Sequence, residues 1–467
     1  MNNMKRRVKK WLGWALALAL VFSLGAPALA AEGEAPAPQQ PDLWAYEYFA
    51  DGYALGLVDD NMGQYIQSPV TQAQLDAVKA LVANKLALLG MEQRAAEDAP
   101  LVTDLTRGGV LNALYQCCAD YAMEGVEAGP IPFLQGLGVV RGVPGGDLAL
   151  GYPCTYQEAM TFAVRLIWAA YDANNAGSRG LLWKAEGNGN TLYLLGTIHV
   201  DRDNVYPFHS SLRAALASSR AVFLELDMND QAGMAEFAAM QMYSDGTTLK
   251  DHISAELYAQ TVGMFAMLGL SEGQVALYKP WALANTLSTL LTQDESTASA
   301  MAIDSYVNAF AVNSFKPVGG VETYALQGGI FDTLSAEYQE EYLASNVAIL
   351  RAALTGQGTG GEDAEAAAAA EEQQRMLDAM MDAWKSGDAA AFEAAYGKGT
   401  VLESDDELSA RLFTDRDPNM IAAAARLLET EGENIFFLAV GAGHMVDPGG
   451  IVSGLRALGY TVEPVER

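Results

Sequence analysis

The sequence predicts a small all-α region over residues 42–175, followed by an α/β domain over residues 181–467 built as a mixed sheet with flanking helices. Three observations carry this reading. The chain of 467 residues exceeds what one compact core holds, so more than one domain is expected. Upstream of Leu181 the apolar residues fall at helical spacing, with Thr71 and Thr155 placed as helix N-caps. Downstream, short apolar runs alternate with amphipathic stretches, the pattern of strands and helices sharing one layered domain.

The first residues read as an export signal. "MNNMKRRVKK" supplies a cationic start, "WLGWALALALVFSLG" an apolar centre, and "APALA" small residues for cleavage after Ala30. The apolar run is short for a bilayer span of about 20 residues, and no Cys stands at the cleavage site, which argues against a lipoprotein. No later stretch is long and apolar enough to span a membrane. Loss of residues 1–30 removes five basic and no acidic residues, taking the formal charge from −30 to −35. A surface that acidic repels nucleic acid and anionic lipid, and tolerates cations. Residues 31–41, "AEGEAPAPQQP", form a Pro/Ala-rich spacer.

Within 42–175 the stretch "WAYEYFADGYALGLV" reads as a helix, and a second helix starts at Thr71. The pattern recurs as "LGVVRG" followed by the Thr155-capped "CTYQEAMTFAVRL". Cys117, Cys118 and Cys154 are the three cysteines. Their odd number excludes a fully paired framework and leaves one bridge to Cys154 open. The absence of any C-x-x-C pair argues against a thiolate zinc site.

From Leu181, "LLWKAEGNGNTLYLLGTIHV" reads as two strands joined by a Gly-Asn turn, "EGNGN". "SSLRAALASSR" is a short helix, "AVFLELD" a buried strand, and residues 231–312 are largely helical. "KPVGGVETYALQ" is a further strand and turn. Residues 355–374 are low in complexity and read as a linker; their formal G-x-G-x-x-G has no strand before it and acidic residues after it, unlike a phosphate loop. "PNMIAAAARLLETEGENIFFLAVGAGH" reads as a helix then a strand, and "GGIVSGLRALGYTVEPVE" as a helix then a last strand.

Candidate chemistry gathers at three strand ends. Two of the four histidines close apolar runs in matching G-x-x-H contexts: Gly196 with His199, and Gly441 with His444. Glu225 and Asp227 end a third run. Ligands of open α/β sheets bind beyond the carboxyl ends of strands, so His199, Glu225 and His444 are expected to converge there. Two imidazoles and a carboxylate suit a divalent ion such as Mn, Co or Zn, with positions left for water. Glu225 is either a ligand or the base that takes a proton from that water. His209 and His252 sit in loop or cap contexts and read as structural. H-E-x-x-H and G-x-S-x-G are absent, so helix-borne zincin and serine-elbow mechanisms find no support.

The region 42–173 resembles S-layer homology repeats in its quoted helix, turn and Thr-capped segments, which implies contact with cell-wall polysaccharide. The usual Arg after the capping Thr is replaced by Gln72 and Tyr156. The region 181–467 resembles the TraB/PrgY/GumN family, relatives of the Tiki proteins, through "LLWKAEGNGNTLYLLGTIHV", "YKPWALA", "KPVGGVETYALQ", "DRDPNMI" and "FLAVGAGHMV". The resemblance implies metal-dependent proteolysis by His199, His444 and Glu225, and marks Glu322 and Arg416 as family positions. Glu322 reads as a second carboxylate and Arg416 as a clamp for a substrate carboxylate or oxyanion, or the two form a structural salt bridge. The expected function is an exported metal-dependent hydrolase, a peptidase acting on peptide or protein substrates in the cell envelope. The alternative is a non-catalytic protein that sequesters a peptide or cofactor there.

Overall fold

The computed structural model describes residues 38–94, 104–142, 145–198, 204–292, 301–355, 361–403 and 406–465. The export signal, most of the spacer and His199 lie outside these residues.

The α/β domain is built on a six-stranded mixed sheet whose strands, from edge to edge, are Val318–Gly320 (β4), Ala221–Leu224 (β3), Ile435–Gly441 (β5), Asn190–Thr197 (β2), Leu181–Gly187 (β1) and Thr461–Pro464 (β6). β1 (Leu181–Gly187) and β2 (Asn190–Thr197) form a hairpin whose two-residue turn is Asn188-Gly189, with φ of 50° and 82°. Two consecutive positive φ values demand residues such as Asn and Gly, and they match the twist of the strands. β3 (Ala221–Leu224), β4 (Val318–Gly320) and β5 (Ile435–Gly441) follow after long helical excursions. β5 runs parallel to both β2 and β3, and β4 parallel to β3, whereas β6 (Thr461–Pro464) is antiparallel to β1.

Burial explains this order. Every residue of β5 except Ile435 is buried, as a central parallel strand covered on both faces requires. Helix Asp417–Leu428 packs on β1 and β2, and helix Ile303–Asn313 on β3 and β5. Each fully buried Leu or Phe on these faces contributes about 1.5–3 kcal/mol.

The N-terminal region is helical. Helices Gln72–Ala87, Arg107–Ala119 and Tyr156–Ala173 form its core. Thr71 accepts from the Gln74 backbone, and its own N–H donates to the Gln74 side chain at 2.9 Å. A buried polar joint fixes the region to the sheet domain. The Asp51 carboxylate, fully buried, accepts from Trp168 at 2.9 Å and from Tyr306 of helix Ile303–Asn313 at 2.7 Å. Burial raises the Asp51 pKa, opposed by the Tyr306 and Trp168 hydrogen bonds.

The structure adds detail at the low-complexity stretch and at the cysteines. The 355–374 stretch is helical from Gly361, inside one helix, Gly361–Ser386. Its Ala and Glu content favours helix regardless of its low complexity. Leu377, Met380, Met381 and Trp384 bury its C-terminal half, and Trp384 Nε1 donates to the Gly196 carbonyl at 2.6 Å. The bridge to Cys154 is not formed: all three thiols are free. The Cys118 thiol faces the Leu114 carbonyl of its own helix, and that of Cys154 the Thr155 carbonyl. Burial pushes Cys117 up to about 11 and the other two higher, so none is a ready nucleophile.

Candidate active site at the carboxyl ends of the parallel strands

Because β2, β5 and β3 are adjacent and parallel, their carboxyl ends open on one edge. Glu225 follows β3 directly. His444 lies in the short helical turn Ala442–Met445 after β5. Thr197, the last residue of β2, stands opposite Gly441.

The glycines of the two G-x-x-H motifs serve close approach, since neither has a positive φ. A methyl group on Gly441 would lie 3.0 Å from Glu225 Oε1 and 3.6 Å from His444 Cδ2, so carboxylate and imidazole flank the same residue. One on Gly196 would lie 3.0 Å from the Ala442 Cα. Both glycines let the β2 end, the 442–445 turn and Glu225 pack without a side chain between them.

Glu225 is held on both oxygens. Oε1 accepts the Gly441 N–H at 2.6 Å; Oε2 accepts Arg416 Nη2 at 2.9 Å and Gln327 Nε2 at 3.0 Å. Glu322, just past β4, accepts Arg416 Nε at 2.9 Å and Nη2 at 2.6 Å, and also Gln327 Nε2 at 3.0 Å. Its backbone N–H donates to the Glu225 carbonyl at 2.8 Å, which locks the two carboxylates side by side. Arg416 is 2% exposed, and its Nη1 has no hydrogen-bond partner among the described residues. Burial pulls the Arg416 pKa down, but the charges and hydrogen bonds of Glu225 and Glu322 outweigh it and hold the guanidinium above its ordinary value. Glu322 and Arg416 thus form a buried ion pair.

A second network orients His444. Its Nδ1 lies 2.6 Å from Asp417 Oδ1, while Asp417 Oδ2 accepts Lys398 Nζ at 2.9 Å. Lys398 is fully buried, also donates to the Val446 carbonyl at 3.0 Å, and sits 4.9 Å above the Phe413 ring. Burial lowers the Lys398 pKa, countered by Asp417. Asp417 opens helix Asp417–Leu428, where the dipole favours a negative charge. An ionised Asp417 assigns the proton to Nδ1 and leaves Nε2 as a lone-pair donor, the arrangement found behind metal-binding imidazoles.

Sequence reasoning missed Asp417, Lys398 and Gln327. Asp417 had a signal, since the Asp-Pro of "DRDPNM" marks a helix start; Lys398 and Gln327 had none that spacing could supply. His209 bonds Ser211 and Asn175, and His252 stacks on Tyr243 with its Nε2 at Thr247, both structural.

A cavity of about 20 Å³ lies beside His444, bounded by Thr197, Ile198, Tyr396, Phe413 and Gly443. A wider one of about 500 Å³ opens over Arg416 between Leu326, Ile330, Arg411 and Asn419. Among the described residues no group of three or more His, Cys, Asp or Glu side chains is placed to hold a metal ion. The donor chemistry still fits a cation. His444 offers one nitrogen, and the pair Glu225 and Glu322 exceeds the single Arg416 charge by one negative charge. Glu225 fits less directly, because both oxygens already accept hydrogen bonds.

These features belong to a recognised class of chain: residues 181–464 match the TraB/PrgY/gumN family, and the protein belongs to it. It is 21% identical over 310 residues to "Metalloprotease TIKI1" of Danio rerio, covering 58% of this chain and 60% of that protein. To "Metalloprotease TIKI homolog" of Nematostella vectensis it is 22% identical over 317 residues, covering 59% and 64%. The match therefore spans less than two thirds of either relative. No solved structure matches the chain. Among the described residues no helix is long and apolar enough to cross a membrane.

Proposed function

We propose that the chain is a metal-dependent hydrolase, a peptidase acting on peptides or proteins outside the cytoplasm. The observation that carries the reading is the Asp417–His444 pair, set at the strand-end crevice beside Glu225. His199 and His444 would hold the ion, with Glu225 either as a third ligand or as the base that takes the proton of the attacking water. When bound, a divalent cation supplies an acidified water and polarises the substrate carbonyl. Asp417 keeps His444 in the tautomer that can ligate, and buried Lys398 holds the Asp417 carboxylate in place through its other oxygen. Glu322 is read as a positioning residue for Arg416, because its side chain is 2% exposed and bound to the guanidinium. Arg416 Nη1 is left for a polar group of the bound substrate, with the wider cavity receiving the adjoining side chain.

His444→Ala should bind no Mn, Co or Zn at concentrations that saturate the wild type, and should cleave no peptide while retaining its fold. Metal content equal to wild type would overturn the assignment. One observation favours the non-catalytic alternative: Arg416 grips Glu225 as a structural cation would. Glu225→Gln discriminates, since a binder should keep its peptide affinity and a hydrolase should lose turnover. The envelope location rests on the export signal, and wall attachment on the repeated Thr-capped helices. Failure of the full chain to sediment with cell-wall sacculi would remove the latter.

A further inference from the structure

Two polar groups at the small cavity are used by neither network. Tyr396 ends helix Ala389–Tyr396, where Gly397 takes a left-handed φ of 67° and stops the helix. Its ring is 4% exposed, stacks on Phe392 at 5.8 Å and meets Phe413 edge-on at 6.3 Å. A methyl group on Gly443, the residue before His444, would lie 2.8 Å from the Tyr396 hydroxyl. The hydroxyl thus packs against Gly443 in the cavity that His444 also lines, yet it is buried without a hydrogen-bond partner among the described residues. Thr197 Oγ1, on the same cavity wall, is also buried and unpartnered. Unpaired buried hydroxyls cost stability, so two of them facing one cavity beside a candidate catalytic imidazole point to a polar atom that completes them. A volume of about 20 Å³ admits a single oxygen-sized group.

We propose that Tyr396 is a further catalytic residue, its hydroxyl donating a hydrogen bond to the scissile carbonyl oxygen, with Thr197 Oγ1 as the second donor. This rests on the hydrolase reading. As water adds to the carbonyl carbon, the new C–O bond uses a water lone pair, the π pair moves onto the carbonyl oxygen, and the water proton passes to Glu225. Collapse returns the pair to the C=O bond, breaks the C–N bond and delivers that proton to the leaving amine. Tyr396 keeps its own proton throughout and stabilises the oxyanion between these steps.

The test compares wild type, Tyr396→Phe and Thr197→Val, using a cleavable peptide and a phosphinic analogue of it that mimics the tetrahedral intermediate. Tyr396→Phe should lower kcat on the order of 100-fold with KM nearly unchanged, and weaken phosphinate binding by a similar factor in calorimetry. Its Tm should match or exceed that of wild type, because no partner is lost. Thr197→Val should show the same pattern, smaller. Wild-type phosphinate affinity and kcat in Tyr396→Phe would overturn the assignment alone, and so would a fall in Tm of several degrees, which would reveal a structural partner. A wild-type protein that cleaves nothing and prefers the phosphinate no more than the peptide would sink the hydrolase reading and this inference with it.

Discussion

Arg416→Met is the substitution whose consequence the structure sets most narrowly. The guanidinium is 2% exposed and lies within 3 Å of oxygens from two carboxylates, Glu225 and Glu322. Methionine fills most of the volume, so packing is nearly conserved and the change is electrostatic. Two like charges would then remain side by side in the interior, one of them on a side chain only 2% exposed. Breaking a buried ion pair from one side costs about 3–5 kcal/mol, mostly from the uncompensated partner. The expected loss is therefore about 3–5 kcal/mol in urea unfolding followed by tryptophan fluorescence. The cost belongs to the stranded carboxylates, so Arg416→Met/Glu225→Gln/Glu322→Gln should recover most of it. A triple variant no more stable than Arg416→Met, or a single variant within about 1 kcal/mol of wild type, would refute the reasoning.

Two further outcomes follow from contacts already described. At Gly441 the added methyl of Gly441→Ala would meet Glu225 Oε1 at 3.0 Å, with a backbone φ of −49° that alanine accepts. The variant should lose more than about tenfold in peptide turnover and about 1–3 kcal/mol in stability; unchanged kinetics would show that Glu225 need not be held there. For Asp51 the folded pKa is raised above its ordinary value of 3.8, so the folded state takes the proton more readily than the unfolded. Its contribution is therefore present at low pH and is lost as pH rises through the folded value. Urea midpoints from about pH 4 to about pH 7 should show wild type losing stability relative to Asp51→Asn; a constant or growing advantage would contradict the burial argument.

Much of the sheet was legible because its determinants are local. "EGNGN" encodes a turn that only positive φ permits, and the apolar run "IFFLAVG" became a central strand buried on both faces. The parallel adjacency of β2, β5 and β3 followed from where those runs must bury. What escaped was non-local. Asp417 and Lys398 support His444 from two helices, and Gln327 bridges Glu225 and Glu322 from a third, with no periodicity linking the partners. The helix Gly361–Ser386 was masked by its alanine and glutamate content, which describes a linker and a helix equally well until Trp384 is seen against Gly196. The G-x-x-H spacing was legible as a pattern, but that its glycines admit close neighbours shows only when the strand ends pack together.

The most direct test of the account is peptide hydrolysis by the purified full chain before and after chelation. Activity should disappear with a strong chelator and return when Mn, Co or Zn is added back, whereas His444→Ala should stay inactive with every ion. Hydrolysis that survives complete removal of metal, or a His444→Ala variant that metal restores to wild-type turnover, would contradict it.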